Sequence, residues 1–318
     1  MKVDFNQDNL WGIDFGGTKI EGVILRSLEE PEVIFRHRVP TESQKGYEHI
    51  LSQFKSLVDS MAAAAGYKPL YIGVGSPGTY IPHKKEMKNC NATVVNGKPL
   101  KADLENILGM EVKLANDANC FALAEAKLGI VKELYPEAEV IFGVILGTGV
   151  GGGVVVRGEI INGKHGIGGE WGHNYLYKGE GKTCYCGKTG CNEQIISGPA
   201  LENFYFELSG TKKELKEIAL LAETGSDQHA VQTVERLTVG FGKALSVVIN
   251  IIDPDVIVLG GGVSNIENVY TNSLKTLNDM VFNHGFEAPI VKAKLGDSAG
   301  VFGAALLVGK EKSIYEEN

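Results

Sequence analysis

Two apolar runs, each broken by a glycine-rich turn, frame this chain. Trp11 to Arg26 (WGIDFGGTKIEGVILR) reads as strand, Gly-Gly-Thr turn, strand. Ile141 to Glu159 (IFGVILGTGVGGGVVVRGE) repeats the pattern, so the two are pseudo-repeats, each a β-hairpin with a phosphate-sized loop at its tip. Val33 to Val39 predicts a further strand before a break at Pro40. Residues 43–65 predict a helix: Ile50, Leu51, Phe54, Leu57, Val58 and Met61 share one face, and Gly66 stops it. Tyr71 to Gly75 reads as a buried strand running into Ser76-Pro77-Gly78, and the polar segment 80–101 as a loop. Glu111 to Leu114 is a short strand that delivers Asn116-Asp117-Ala118-Asn119 onto a helix reaching about Gly129. Residues 198–222 and 227–252 predict helices. Asp255 to Leu259 predicts a buried strand ending in Gly260-Gly261-Gly262. A helix around 266–283 and another from about Gly300 close the chain. Strands alternating with helices make an α/β protein.

Composition narrows the function classes. At 318 residues the chain has room for two domains or two lobes, and an apolar fraction of 43% is ample for a core. A net charge of -8 leaves no cationic footprint for a nucleic-acid partner. No stretch reaches eighteen apolar residues and the start has no secretory pattern, so no membrane is expected and a cytoplasmic location is. Three of five cysteines cluster, which favours a metal over disulfides.

Three short motifs look familiar and mislead. Gly147 to Gly152 offers a dinucleotide fingerprint, but β-branched VVVRGEII follows where a helix is required. Asp14-Phe15-Gly16 spells a protein-kinase triplet without the rest of that signature. Gly181-Lys182-Thr183 lacks the first glycine of a Walker loop, since Leu176 stands there.

The candidate chemistry lies elsewhere. Asp14 ends an apolar strand beside Gly16, Gly17, Thr18 and Lys19, where a carboxylate can hold magnesium against phosphate oxygens or simply serve a turn. Asp117, at the mouth of a helix, is either an N-terminal cap or a base for a substrate hydroxyl, and on sequence alone the cap is favoured. Asn116, Glu170, His173 and Glu193 are hydrogen-bonding groups suited to a polyol. The bland readings are a solvated helix-start glutamate for Glu193 and zinc ligation alone for His173. His173, Cys184, Cys186 and Cys191 supply four ligands with no open position, a structural zinc pattern for which reduced cytosolic thiols are the alternative. Cys90 and Cys120 read as ordinary small residues.

Taken together, IDFGGTKIEGVIL, VGSPG, LANDANCFALAEA, ILGTGVGGG, GGEWGH, CYCGKTGC-x-E and INIIDPDVIVLGGG resemble the ROK family (repressors, open reading frames and sugar kinases) from the first hairpin nearly to the end. LANDANC, GEWGHN, CYCGKTGC, DPDVIVLGGGVSN and KAK-x-GDSAGV are most similar to bacterial fructokinases of the mannofructokinase type, with N-acetylglucosamine kinases second. The resemblance implies an actin-like ATPase (ribonuclease-H-like) fold, two α/β lobes each with a mixed five-stranded sheet. It places the small lobe at 1–118, with a C-terminal helix at about 300–318 packing back on it, and the large lobe at 119–299, with a zinc segment at 173–191. By position, Asp117 becomes the catalytic base, and Asn116, Glu170, His173 and Glu193 match sugar contacts. Asp14, Gly16, Gly17, Thr18, Lys19, Gly147, Thr148 and Gly149 match Mg-ATP contacts, and Gly261 and Gly262 the adenosine side. The zinc ligands match His173, Cys184, Cys186 and Cys191. The expected activity is ATP-dependent phosphorylation of the 6-hydroxyl of fructose or mannose, with glucose or N-acetylglucosamine as the alternative and a non-catalytic sugar-sensing regulator as the contrasting class. ATP, Mg2+ and a structural Zn2+ are the expected cofactors, and a homodimer the expected assembly. Two departures stand out. Only about ten residues precede the first strand, where family repressors carry a helix-turn-helix, so regulation through DNA is not expected. Asn192 occupies a usually apolar position beside Glu193.

Overall fold

The computed structural model describes residues 8–90, 92–283 and 285–309. The chain opens with β1 (Leu10–Phe15), β2 (Lys19–Leu25), β3 (Val33–Pro40), α1 (Tyr47–Ala65), β4 (Tyr71–Ser76), β5 (Thr79–Ile81) and β6 (Glu86–Lys88). Next come α2 (Leu100–Leu108), β7 (Glu111–Asn116), α3 (Asp117–Lys127), α4 (Ile130–Leu134), β8 (Val140–Leu146), β9 (Val150–Val156) and β10 (Glu159–Ile160). The remainder is α5 (Glu193–Ile196), α6 (Gly198–Ser209), α7 (Leu215–Glu223), α8 (Gln228–Ile252), β11 (Val256–Gly260), α9 (Asn268–Thr271), α10 (Ser273–Met280), β12 (Ile290–Lys292) and α11 (Ala299–Leu306). Two compact units result. The first takes the described residues of Met1–Gly129, Ile160–Gly168 and Asp297–Asn318, and the second takes Ile130–Glu159 and Gly169–Gly296.

The first unit is built on a five-stranded mixed sheet in the order β3-β2-β1-β4-β7. β1, β2 and β3 run antiparallel, while β1, β4 and β7 are parallel. Strand alternation separates two faces. Toward one, Gly22 admits Met61 and Leu57 of α1, whose expected stripe (Ile50, Leu51, Phe54, Leu57, Val58, Met61) is buried in full. Toward the other, Gly12 and Gly73 sit side by side under α11. A Cβ on Gly73 would fall 1.8 Å from the Ala304 carbonyl oxygen, and one on Gly12 2.3 Å from the Ala305 nitrogen. The helix therefore lies almost on the sheet backbone. α3 packs against α11 in turn, through Gly303 on the Cys120 carbonyl, so its residues 119–127 belong with the first unit, beyond the expected boundary at 118.

The second unit repeats the architecture: β10-β9-β8-β11-β12, with β8 and β9 antiparallel and β8, β11 and β12 parallel. α8 buries Leu237, Phe241 and Leu245 in its core. Trp171 packs edge-on against Phe142 (5.6 Å) and Phe241 (6.2 Å), which anchors the segment leading to the cysteines. β9 follows the 147–149 turn directly, so the dinucleotide fingerprint lacks its helix.

Several boundaries differ from the sequence pattern, each for a local reason. The 43–65 helix starts at Tyr47, after a 3-10 turn at Ser43–Lys45. Segment 80–101 is not all loop: β5 and β6 form a small antiparallel pair, and α2 begins at Leu100. The helix expected at 198–222 breaks where Gly210 adopts φ +69°, giving α6 and α7. The one at 266–283 divides at Asn272. Residues 310–318 of the expected C-terminal helix lie outside the described residues. Among the described residues no helix is long and apolar enough to cross a membrane.

The contact under α11 generates a stability test. Gly73→Ala should lose about 2 kcal/mol or more through forced displacement of α11, whereas Gly17→Ala, with open space at its Cβ, should leave stability near wild type. Chemical denaturation of both variants checks this, and equal midpoints would contradict the close packing.

Candidate active-site residues and their settings

In the first unit, β1 carries Asp14 to the mouth of the hairpin. Burial, then the neighbouring Asp117 and Glu21 carboxylates, push its pKa up to about 6, opposed by Lys19. A Cβ on Gly300, near the start of α11, would lie 3.2 Å from the Asp14 carboxylate, close enough that the carboxylate would have to shift slightly to admit it. Glu21 stands opposite Asp14 in the β1–β2 register and is 1% exposed. Burial works to raise its pKa, but hydrogen bonds from Arg38, Arg36 and Lys19 outweigh it and hold the carboxyl below the usual range. Lys19 Nζ is 3.1 Å from Glu21 and Arg38 Nε 2.8 Å, while Arg36 also donates to Ser298 Oγ at 3.0 Å. The Lys19 ammonium, expected near phosphate, is thus engaged with Glu21. The turn itself closes through the Gly16 N–H on the Lys19 carbonyl (2.9 Å), and Thr41, just after β3, secures it, its hydroxyl on the Gly16 carbonyl (2.7 Å) and its N–H on that of Thr18 (2.9 Å).

β7 delivers the other two residues of this unit. Asn116 caps α3: its Oδ1 accepts the Ala118 N–H at 2.9 Å, and its Nδ2 donates to the Gly78 carbonyl at 2.9 Å. Asp117 is the first helical residue and is exposed, with its Oδ1 also accepting the Ala118 N–H, at 2.8 Å. The cap and the candidate base are therefore neighbours, and Asn116 holds the cap that the sequence offered to Asp117.

In the second unit, the 147–149 turn closes with the Gly147 N–H on the Gly149 carbonyl (3.0 Å) and is braced by the Gly198 N–H on the Gly147 carbonyl (2.8 Å). Thr148 is exposed at its tip. Gly261, at φ +84°, must be glycine twice over, since a Cβ there would fall 2.3 Å from the Leu146 carbonyl oxygen. Gly262 has open space at its Cβ, and its nitrogen is 4.0 Å from where a Gly147 Cβ would be. Glu193 opens α5. Its Oε2 accepts the Val150 N–H at 3.2 Å, and its Oε1 lies 3.6 Å from Cys184 Sγ.

The Trp171–His173 turn carries the remaining groups. Burial, then Glu193, raises the Glu170 pKa. His173 directs Nδ1 toward Cys184 Sγ (3.6 Å), while its Nε2 is 2.8 Å from the Tyr185 hydroxyl. Burial lowers the imidazole pKa against the opposing pull of Glu193. Lys188 Nζ donates to the His173 carbonyl at 2.8 Å. Asn192 is 2% exposed and donates to the Trp171 carbonyl at 2.7 Å, which accounts for a polar residue in a usually apolar place. The ligand atoms of His173, Cys184, Cys186 and Cys191 all lie within 4.8 Å of one another.

The ROK family model matches residues 10–311. The chain belongs to the ROK family. An N-acetyl-D-glucosamine kinase of Vibrio parahaemolyticus is 37% identical over 307 residues, covering 93% of this chain and 98% of that protein. One of Pectobacterium atrosepticum is 35% identical over 308 residues, with the same coverage. Among solved structures, the ROK hexokinase of Thermus thermophilus is similar with a TM-score of 0.84 at 32% identity, covering 96% of this chain and 99% of that one. A ROK glucokinase of Streptomyces griseus, solved with glucose and AMPPNP, gives 0.71 at 27%, covering 94% and 98%. This ROK chain therefore has the actin-like ATPase fold, with a mixed five-stranded sheet in each lobe. The fructose preference expected from sequence finds no support in these relatives, and the N-acetylglucosamine alternative does.

The chemistry of the donor sets fits the groups that the ROK resemblance implies. Tetrahedral zinc with thiolate ligands needs ligand atoms ~3.8 Å apart, and this cluster is compact enough to close on one. Without a metal, burial pushes the Cys184 thiol up to about 12 and that of Cys191 upward too. Asp14, short of counter-charge, suits a cation. The sequence pattern did not single out Thr41 or Tyr185 in this ROK chain. It did carry a trace of the Glu21 cluster: one carboxylate in an apolar strand, with arginines two residues apart on the next.

Asp14 gives a test with a definite sign. Its folded-state pKa is raised, so its contribution to stability is present below about 4 and lost as pH rises through about 6, costing at most about 3 kcal/mol at pH 8. Asp14→Asn should therefore be more stable than wild type at pH 8 without added magnesium, and the gain should shrink toward pH 4. Denaturation across that range measures it; a gain independent of pH would refute the shift.

Proposed function

We propose that this chain is an ATP-dependent kinase that transfers the γ-phosphoryl group to the 6-hydroxyl of N-acetylglucosamine. The observation that carries the reading is the 37% and 35% identity, over nearly the full length, to N-acetyl-D-glucosamine kinases. It is supported by two carboxylates of the first unit, Asp117 at the start of α3 and Asp14 near the end of β1. Asp117, oriented by its bond to the Ala118 N–H, takes the proton of the sugar hydroxyl as that oxygen attacks the γ-phosphorus and ADP leaves. Asp14 would hold magnesium, which neutralises phosphate charge when bound. Gly16–Thr18 and Gly147–Gly149 offer the phosphates their backbone, and Gly261 and Gly262 lie on the adenosine side. Glu170, His173 and Glu193 are the sugar-facing groups, with Asn116 setting the Asp117 backbone through its cap. A cytoplasmic homodimer belongs to the same reading.

Turnover of ATP should be supported best by N-acetylglucosamine in a coupled assay with glucose, mannose and fructose as competitors. Asp117→Asn should lower that turnover about 100-fold or more while sugar affinity changes little. Preference for fructose would restore the expectation from sequence. Sugar binding without turnover in wild type would favour a regulator, and near-normal turnover in the variant would remove Asp117 as base.

We also propose that His173, Cys184, Cys186 and Cys191 bind one structural zinc per chain. Cys184→Ser should lower both zinc content and melting temperature. Stoichiometric zinc in a Cys184→Ser/Cys186→Ser double variant would show that the ligands lie elsewhere.

A further inference from the structure

One row of positions crosses the α11 face of the first unit's sheet. Register sets Gly75, Asp14, Glu21 and Arg38 side by side on β4, β1, β2 and β3. Gly75 has no side chain, and a Cβ there would face the Cys120 sulfur at 3.1 Å, so the row supplies Asp14 no cation on that side. On the other side stands Glu21, buried, where Lys19 Nζ (3.1 Å), Arg38 Nε (2.8 Å) and Arg36 converge. One carboxylate thus holds three cations. Lys19, Arg38 and Arg36 remain 42%, 49% and 31% exposed, so the Glu21 carboxylate, rather than close packing, fixes their charged heads. Arg36 also donates to Ser298 Oγ at 3.0 Å, two residues before Gly300, whose Cβ would border the Asp14 carboxylate. Among the described residues none of the three cations pairs with Asp14, yet Asp14 is the next carboxylate in the row, one cross-strand spacing of roughly 5 Å from Glu21. A cation seated on Asp14 would occupy the lone pairs that magnesium requires.

Building on the magnesium role proposed for Asp14, we propose that Glu21 is a positioning residue that keeps that site open, by holding Lys19, Arg36 and Arg38 away from the Asp14 carboxylate. Glu21 itself touches neither metal nor nucleotide. It acts as a buried anchor whose loss would release cations onto the neighbouring carboxylate.

The test measures, by calorimetry on the full-length chain, the Mg2+ concentration needed for half-maximal binding of a non-hydrolysable ATP analogue. Glu21→Gln should raise that concentration roughly tenfold, as expected when a charge-assisted bond competes for Asp14, and should leave the sugar Kd unchanged. Arg38→Gln alone should stay within about twofold of wild type, because Arg38 bears on Asp14 only once released. Glu21→Gln/Arg38→Gln should recover part of the loss. Glu21→Asp keeps the charge but draws it one methylene back from the cations. It should fall between wild type and Glu21→Gln, and it decides the matter should Glu21→Gln not fold. A crystal structure of Glu21→Gln without nucleotide should show an ammonium or guanidinium on the Asp14 carboxylate. A folded Glu21→Gln that needs no more Mg2+ than wild type would overturn the proposal. So would equal and opposite shifts in Glu21→Gln and Arg38→Gln with Glu21→Asp like wild type, the mark of a summed field rather than of released cations. An Mg2+ requirement that Asp14→Asn leaves unchanged would instead remove the magnesium role of Asp14, and this proposal with it.

Discussion

The carboxylate of Glu193 accepts the Val150 N–H with one oxygen and stands 3.6 Å from the Cys184 sulfur with the other, and the second unit's candidate site hangs from that bridge. A Cβ on Gly149 would lie 2.7 Å from Oε2, so the turn comes this close only because it is glycine. The cysteine segment is nearly devoid of regular secondary structure. It is held instead by Lys188 on the His173 carbonyl, Asn192 on the Trp171 carbonyl, and Trp171 wedged between Phe142 and Phe241. Such a segment has little core of its own and gains most from a metal cross-link.

The first unit places its charge differently. Glu21 is nearly inaccessible, and a buried carboxylate is costly unless paired. Three cations satisfy it, and one of them, Arg36, reaches on to Ser298 where α11 begins. Asp14 lies opposite Glu21 without comparable help, which is why its pKa moves the other way. The sheet thus invests its counter-charge in holding β2, β3 and α11 together and leaves Asp14 electrostatically unsatisfied. Without a counter-charge, the ionised Asp14 carboxylate costs stability as pH rises from about 4 through about 6.

How much of this could be read from the sequence depended on range. The two hairpins, the stripe on α1 and the strand DVIVL were legible because each is fixed by periodicity within a few residues. The clustered ligands were legible because their chemistry and spacing are both local. What escaped was set at longer range or by single dihedrals. Gly210 breaks a continuous helical pattern by adopting a left-handed conformation that an apolar periodicity does not register. Thr41 closes the Gly16–Thr18 turn from 23 or more residues away, and no motif marks it. Tyr185 was passed over because the cysteines on either side explained the segment without it.

Sugar preference was the least legible property, and the geometry gives a reason. Most polar groups in the recognisable motifs already have structural partners. Asn116 spends its amide on Ala118 and Gly78, Glu193 its oxygens on Val150 and the Cys184 side, Asn192 on Trp171, and His173 both nitrogens within the cluster. Motifs of this kind identify a scaffold for phosphoryl transfer to a polyol, and relatives that differ in substrate can share them. Discrimination between hexoses then falls to groups that are held in place but keep hydrogen-bonding capacity in reserve.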